Sequence, residues 1–208
     1  MSRVKQCFKA LVNLKSSGYR RVAATTTNSS RLISGTAPDR LHGLDDAMAS
    51  AAGCSVLDVG CHDGTVAEAF AKAGAHRVEG CDIFAHGIET ARCRVGAVQS
   101  NCEFFVVDLS LGVEELMRLP LLRRADIVCY LGIHHHLRKQ MSRAALVELE
   151  AEIFSRAGIR LLVRTPRRYF DDLQRRIVSA GFQAEADFVV GNVGALRSYA
   201  RELPDAQT

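Results

Sequence analysis

Short apolar strands that alternate with helices constrain the fold of this chain more than any other feature of its sequence. Apolar runs rich in β-branched residues predict strands, and segments with apolar residues at helical spacing lie between them. The strands are expected at residues 54–59, 77–82, 102–107, 126–131 and 159–163, and the helices at 40–52, 65–73, 88–95, 113–119, 142–155 and 168–180. Strands joined through helices form a parallel sheet that is covered by helices on both faces.

Two further strands follow the last helix, at residues 182–190 and 195–201. They flank the sequence Gly191-Asn192-Val193-Gly194, which is typical of a hairpin turn. The expected fold class is therefore α/β, with a doubly wound, mostly parallel sheet of seven strands and a C-terminal antiparallel hairpin.

The charge of the chain is concentrated at its start. Residues 1–38 contain seven of the 27 Lys and Arg residues and none of the 23 Asp and Glu residues. Val4, Phe8 and Leu11 lie on one face of a short helix within this segment. The chain thus divides into a basic N-terminal arm or helix, 1–38, and a domain, 39–208. Three interpretations of the arm stay open: a solvated arm, a lid over an anionic substrate or a membrane surface, and an organelle-targeting peptide.

Composition narrows the class of protein. The sequence is 48% hydrophobic and 24% charged, which is typical of a globular protein and not of a disordered one. It has no run of about 18 apolar residues, so no transmembrane segment is expected. The seven cysteines form no Cys-x-x-Cys pair, which indicates reduced thiols and a cytoplasmic protein.

Glycines and carboxylates stand where successive strands are expected to end. Gly60 and Gly64 follow the first strand, and Asp82 and Asp108 follow the second and third. Glycine lets the backbone turn tightly and approach a ligand, and open α/β sheets bind ligands at the carboxyl ends of their strands. A carboxylate can accept both hydroxyls of a ribose, and another can accept an adenine amino group. This pattern predicts a nucleoside ligand.

The same residues resemble the class I S-adenosylmethionine-dependent methyltransferases. Residues 56–64 are similar to motif I of that family, although His62 replaces the middle glycine, and the resemblance extends over roughly residues 41–201. It implies a Rossmann-like fold, S-adenosyl-L-methionine as cofactor and a cytoplasmic methyltransferase. The cofactor-binding residues that it implies are Asp58, Gly60, Cys61, His62, Gly64, Asp82, Ile83, Asp108, Leu109 and Leu131.

A nicotinamide dinucleotide is the rival ligand. Its fingerprint needs Gly-x-Gly-x-x-Gly to hold a pyrophosphate at a helix N-terminus. This chain has Gly60-x-x-x-Gly64 instead, with Asp58 before the turn and Asp63 inside it. Two carboxylates repel a pyrophosphate and suit a ligand that carries an ammonium and a sulfonium.

Three consecutive histidines, His134, His135 and His136, follow the fourth strand. Methyl transfer requires alignment of the nucleophile and, for a hydroxyl, removal of its proton, for which an imidazole is suited. By resemblance to a His-His-Leu segment of small-molecule methyltransferases, His135 is expected to be the base or to orient the substrate, with His134 second. The alternative is that the segment shapes a loop and caps the next helix. No metal site is expected, because adjacent histidines rarely converge on one ion.

The acceptor is the least determined part of the prediction. Arg164 lies at the end of the fifth strand and is the candidate for contact with an anionic substrate. The expected function is O-methylation of a small molecule that bears a phosphate or carboxylate, or of a glycan or lipid headgroup. The alternative is an RNA- or protein-directed methyltransferase that docks through the basic arm, and peripheral membrane contact by that arm stays open. A non-enzymatic S-adenosylmethionine sensor is a third possibility.

Overall fold

A computed structural model of the chain describes residues 36–95 and 101–201. Two short helices come first, α1 (Ala37–Leu41) and α2 (Asp45–Ala49), and precede the sheet. The strands are β1 (Ser55–Val59), β2 (Arg77–Asp82), β3 (Cys102–Val106), β4 (Ala125–Leu131), β5 (Ala157–Thr165), β6 (Phe182–Ala184), β7 (Val189–Gly191) and β8 (Gly194–Arg201). The remaining α-helices are α3 (Thr65–Lys72), α4 (Ala85–Arg94), α5 (Val113–Arg118), α6 (His134–Gln140), α7 (Arg143–Ser155) and α8 (Phe170–Ser179).

One sheet runs through the whole domain in the order β3-β2-β1-β4-β5-β8-β6. The first five strands are parallel, and β8 pairs antiparallel with β5 on one side and with β6 and β7 on the other. The expected α/β class, the mostly parallel sheet and the C-terminal hairpin are confirmed. The strand order reverses between β1 and β4, which is where sheets of this kind bind ligands.

The strands have apolar sequences because they are buried. All five residues of β1 are buried, because the strand lies between β2 and β4 and under helices on both faces. Leu57 and Val59 belong to a core on one face with Phe154 and Phe170, whereas Val56 belongs to the core on the other face. The two cores confirm that helices cover the sheet on both sides.

The structure corrects several predicted boundaries. The helix expected at 40–52 is broken into α1 and α2 around Gly43, whose φ is +79°. The predicted strand 182–190 is interrupted, so that β6 and β7 share one edge of β8. The division into a basic arm, 1–38, and a domain, 39–208, stays a prediction, and residue 38 lies within α1. The helix expected from Val4 onward lies outside the described residues.

The largest difference concerns the three histidines, which were expected in a loop. They form the first turn of α6, which begins at His134. Consecutive residues of a helix point about 100° apart, so the three side chains enter different surroundings. His134 is buried, His135 is half-buried and His136 is exposed. No helix of the described residues is long and apolar enough to cross a membrane.

Candidate functional site

The turn between β1 and α3 needs left-handed backbone at three positions. Gly60, His62 and Gly64 have φ values of +85°, +51° and +74°. Such values suit glycine, so His62 holds the strained position where the motif has its middle glycine. A side chain at Gly60 would approach Ile133 at 3.1 Å, and one at Gly64 would approach Ala91 at 2.7 Å. The two glycines therefore let the β1–α3 turn pack closely between its neighbours.

Asp82 fastens this turn to the end of β2. Its Oδ2 accepts a hydrogen bond from the backbone N–H of His62 at 2.9 Å, and its Oδ1 accepts one from Phe84 N–H at 2.8 Å. The His62 ring stacks on Phe84 at a centroid distance of 5.1 Å. Ile83, between these residues, is 59% exposed. Each Asp82 oxygen retains a second lone pair for a further donor.

Asp63 is held by protein partners. Its Oδ1 accepts from Arg40 Nη1 and Thr65 Oγ1, both at 2.7 Å, and its Oδ2 accepts from Arg40 Nη2 at 3.1 Å. Partial burial opposes ionisation, but the hydrogen bonds from His62, Arg40 and Thr65 hold the pKa of Asp63 well below its usual range. No sequence pattern identifies Arg40 as a partner of Asp63, because Arg40 lies on α1, ahead of the region that carries the motif.

Asp58 has a buried carboxylate oxygen that the described residues leave without a partner. It is 2% exposed, and its buried Oδ2 has no hydrogen-bond partner within residues 36–95 and 101–201. Burial, and then the charges of Asp82 and Asp63, raise the pKa of Asp58 to about 7. A buried acceptor of this kind is satisfied by a donor that arrives with a ligand.

The other residues implied for cofactor binding lie near the same edge of the sheet. Asp108 follows β3, and its Oδ1 accepts from Ser110 N at 3.0 Å and from Ser110 Oγ at 2.6 Å. Leu109 is buried directly after it, and Leu131 ends β4. Cys61 is buried in the β1–α3 turn, and burial raises the pKa of its thiol. The structure thus brings together the ends of β1, β2, β3 and β4.

Arg164, the residue expected to contact an anionic substrate, is 4% exposed near the end of β5. Its Nη1 donates to the carbonyl of Arg40 at 2.5 Å, and its Nη2 donates to the carbonyl of His42 at 2.7 Å. These bonds tie the backbone between α1 and α2 to the sheet. A sequence pattern places an arginine at a strand end but does not show which way its guanidinium points.

The side chain of Glu150 contacts His134, the first of the three histidines. His134 is fully buried, and its Nδ1 lies 2.6 Å from Oε1 of Glu150, which is also fully buried on α7. His135, the next residue of α6, is half-buried. Burial, and then the charges of His136 and Lys139, lower the pKa of His135 to about 4. The sequence offered no signal for Glu150, which is one acidic residue among several on an amphipathic helix.

An exposed cationic cluster surrounds Tyr169, just after β5. The guanidinium of Arg138 lies 5.1 Å from the centre of the Tyr169 ring, and that of Arg168 lies 4.8 Å from it. The same ring packs edge-on against His134 at 5.5 Å. His134 and Arg138 are one helical turn apart on α6, so the tyrosine spans both. Among the described residues, no group of three or more His, Cys, Asp or Glu is placed to hold a metal ion.

Comparisons with known proteins agree with this arrangement. Residues 56–151 match the family model described as "Methyltransferase domain". No curated protein sequence matches the chain. The magnesium protoporphyrin IX methyltransferase of Synechocystis, solved with bound S-adenosylmethionine, has 17% identity and a TM-score of 0.64, with 97% of this chain and 98% of that chain covered.

Two other solved structures show the same fold. A TehB-like S-adenosylmethionine-dependent methyltransferase from Corynebacterium glutamicum has 19% identity and a TM-score of 0.58, with 89% of this chain and 94% of that chain covered. A protein described as an RNA methyltransferase, from Pyrococcus horikoshii, has 14% identity and a TM-score of 0.58, with 99% of both chains covered. At these identities, the likeness concerns the fold.

Replacing Arg164 tests its anchoring bonds. We expect Arg164→Gln to lower the free energy of unfolding by about 2–4 kcal/mol, because it removes two charge-assisted hydrogen bonds of a buried guanidinium to the Arg40 and His42 carbonyls. The exposed Arg124→Gln is the control and should change stability by less than about 0.5 kcal/mol. Urea unfolding monitored by circular dichroism measures both. Equal stabilities would contradict an anchoring role for Arg164.

If Asp58 binds the ammonium of the cofactor, as the resemblance implies, cofactor affinity depends on pH. A ligand ammonium favours the ionised carboxylate, whereas the free protein with a pKa of about 7 holds a proton at lower pH. The affinity for S-adenosylhomocysteine should therefore rise about tenfold from pH 6 to pH 8, with a proton released on binding. Calorimetry in two buffers of different ionisation enthalpy measures this. Asp58→Asn should remove the dependence, and a pH-independent wild type would contradict the prediction.

Proposed function

Because this chain is an S-adenosylmethionine-dependent methyltransferase, we propose that it methylates an oxygen of a small acceptor that bears a phosphate or carboxylate. The observation that carries the proposal is the cationic cluster at the ends of β4 and β5. Arg138 and Lys139 on α6 and Arg167 and Arg168 after β5 are all exposed. None of the four has an acidic partner among the described residues.

Most other arginines of the domain are already engaged. Arg40, Arg77 and Arg176, for example, each pair with a carboxylate within 2.7 Å. Arginines without a partner, close together and beside a cleft, offer donors to the oxygens of a phosphate or carboxylate. The cluster also lies near His135, since the charges of Lys139 and Arg168 are among those that, after burial, lower the pKa of that residue. An anion bound there would place the rest of a small acceptor near the histidines.

The residues implied for the cofactor fit S-adenosylmethionine. The unpartnered buried oxygen of Asp58 would accept from its ammonium, and the free lone pairs of Asp82 would accept from its ribose hydroxyls. Asp108 would accept from the adenine amino group, and the exposed apolar side chain of Ile83 would cover the base. When bound, the cofactor supplies a methyl group on a cationic sulfur, a good leaving group. The protein then has to position the acceptor and manage its proton.

His135 is proposed to orient the acceptor. With a pKa of about 4 it is neutral at pH 7, but it is a weak base toward a hydroxyl. A neutral imidazole can still donate or accept a hydrogen bond with the acceptor. His136, exposed beside it, has its ring 4.0 Å away. Orientation therefore accounts for His135 better than proton removal does.

A second candidate function is methylation of RNA, with the basic segment 1–38 as docking element. The observation in its favour is the same cluster, in which a half-exposed tyrosine lies among cations, as in surfaces that bind single-stranded nucleic acid. A small acceptor is preferred because four cations at the mouth suffice for one or two anionic groups. Binding to several phosphates gives a steep dependence on salt, which separates the two candidates.

Transfer of label tests the proposed function directly. The protein is incubated with S-adenosylmethionine carrying a tritiated methyl group and with separate pools of small anionic metabolites, RNA and protein. We expect label in the small-molecule pool, in a product whose methyl is bonded to oxygen. Label in RNA, with a rate that falls steeply with salt and on removal of residues 1–38, would instead support the second candidate.

Removing the cluster should weaken acceptor binding selectively. The double variant Arg138→Gln with Arg168→Gln should raise the KM for a phosphorylated or carboxylated acceptor about tenfold or more, since each charged hydrogen bond is worth about 1.5–3 kcal/mol. Affinity for S-adenosylhomocysteine should be unchanged, because Asp58 and Asp82 are intact. Arg118→Gln, which removes an exposed arginine on α5, is the matched control. An unchanged KM in the double variant would contradict the assignment of the cluster.

His135→Ala separates orientation from proton transfer. We expect turnover to fall about tenfold, with the same dependence on pH between 6 and 8 as in the wild type, because the pKa of His135 lies below that range. Steady-state rates across this interval are the measurement. A fall of about 10²–10⁴-fold that also removes a pH-dependent limb would show instead that His135 is the base.

A further inference from the structure

Glu150 lies at the centre of a buried polar cluster behind the histidine segment. Its side chain is fully buried. Its Oε1 accepts from the Tyr130 hydroxyl at 2.9 Å and lies 2.6 Å from Nδ1 of His134, and its Oε2 lies 2.9 Å from Nε and 2.7 Å from Nη2 of Arg176. Tyr130, His134 and Arg176 Nε therefore place hydrogen-bonding atoms against the two oxygens, and the guanidinium charge of Arg176 lies beside Oε2.

These contacts make Glu150 a hydrogen-bond acceptor. The Arg176 guanidinium can only donate, and the Tyr130 hydroxyl is placed to donate to Oε1, so each carboxylate oxygen accepts. Arg176 also pairs with Asp172 at 2.7 Å, and its charge is therefore shared between two carboxylates. Because Oε1 accepts, the hydrogen of the short contact belongs to Nδ1. The tautomer of His134 is thereby set to Nδ1–H.

The other ring nitrogen is left without a partner. Nε2 of His134 is buried and makes no hydrogen bond with the described residues. It is at the ring edge away from Nδ1, and so away from Glu150. In the Nδ1–H tautomer this atom has a free lone pair. The ring of Tyr169, one of the groups that cover the imidazole, is itself half-exposed beside the cationic cluster.

We propose that Glu150 is a positioning residue that holds His134 with its proton on Nδ1, so that Nε2 takes the proton of the acceptor hydroxyl. The inference rests on the proposed transfer to oxygen. The acceptor oxygen forms the bond to the methyl carbon, the electron pair of the broken carbon–sulfur bond stays on sulfur, and the hydroxyl proton goes to Nε2. The resulting imidazolium returns this proton to solvent. No oxidant or further reactant is needed.

The surroundings of His134 favour this role over that of His135. Nδ1 of His134 lies against a carboxylate that can hold a proton on that atom, whereas burial and then the charges of His136 and Lys139 lower the pKa of His135. The titratable and charged groups around His134 come from four elements besides its own helix. They are Glu150 on α7, Arg176 on α8, Tyr130 on β4, Tyr169 and Arg168 after β5, and His135, Arg138 and Lys139 on α6.

Access to Nε2 requires Tyr169 to move. Its ring is held by two cation–π contacts and a hydrogen bond from Arg168 to its hydroxyl at 3.3 Å. The same two arginines are those proposed to bind the acceptor's anionic group. When they turn to the anion, they release the tyrosine that lies against the base. Tyr169 is thus placed to couple binding of the acceptor to exposure of His134.

The tautomer can be read without any acceptor. Protein labelled with ¹⁵N-histidine is studied by long-range ¹H–¹⁵N correlation in the presence of S-adenosylhomocysteine, and the His134 signals are assigned by their loss in His134→Gln. We expect a neutral ring protonated at Nδ1 in the wild type. In Glu150→Gln, we expect mixed tautomers, because the amide can donate as well as accept. Tyr130→Phe, which removes one hydrogen bond but no charge, is the matched control and should keep the wild-type tautomer.

Kinetics tests the base role with carboxylated phenols or sugar phosphates that accept methyl in the labelling screen. Glu150→Gln should lower kcat about 10²-fold with KM within about twofold, because the His134 ring no longer holds its proton on Nδ1. A wild-type ring protonated at Nε2, or a tautomer unchanged in Glu150→Gln, would overturn the proposal. So would the expected tautomer with an unchanged kcat in Glu150→Gln. Methylation of RNA would overturn the proposed function but leave the tautomer result standing.

Discussion

The burial of β1 on both faces determines where the chemistry of this domain lies. A strand that is covered on both faces and paired on both edges is accessible only at its ends. The polar residues that follow β1 therefore lie at its carboxyl end. The backbone N–H groups of Gly60 and Cys61 reach back to the carbonyl of Cys81 at 2.8 and 3.1 Å. The turn is thereby folded over the end of β2, and Asp58 and Asp82 are brought into each other's field.

The charged side chains around this end of β1 fall into two groups. Arg40, Asp63 and Arg164 neutralise one another or bond to backbone, and they fasten the segment before the sheet onto the β1–α3 turn. The buried oxygen of Asp58 and the exposed cations Arg138 and Arg168 have no such partners. Burying a polar group without a partner is expensive, so the Asp58 oxygen is available to a donor that a ligand supplies. The carboxylate and the exposed cations have opposite signs, which suits a cationic cofactor and the proposed anionic acceptor.

Sequence patterns predicted the residues at the strand ends because the apolar pattern and the length of each strand are local features of the sequence. Asp82 and Asp108 follow apolar runs whose ends are visible in the sequence, and the parallel sheet brings such ends to one edge. The direction of Arg164 and the partners of Asp63 depend on α1, a five-residue helix with no buried residue and hence no apolar face to reveal it. Glu150 is likewise invisible, since its burial follows from the packing of α7 against β4 and α8. Local sequence patterns locate the strand ends where the site lies, but tertiary packing determines which charged side chains there have no partner.

The start of α6 at His134 shows how a difference of local structure changes chemistry. In a loop, three adjacent imidazoles could take similar surroundings, and the choice among them would be arbitrary. A helix distributes them, because each residue turns about 100° from the last. His134 shares the buried face with Leu137, three residues on, and so meets the carboxylate of Glu150, while His136 meets water. His135, between them, is half-buried among cations and loses basicity. The helical phase therefore assigns three identical side chains to different surroundings, and it does so through the contacts of the apolar face of α6, not through any property of the histidines themselves.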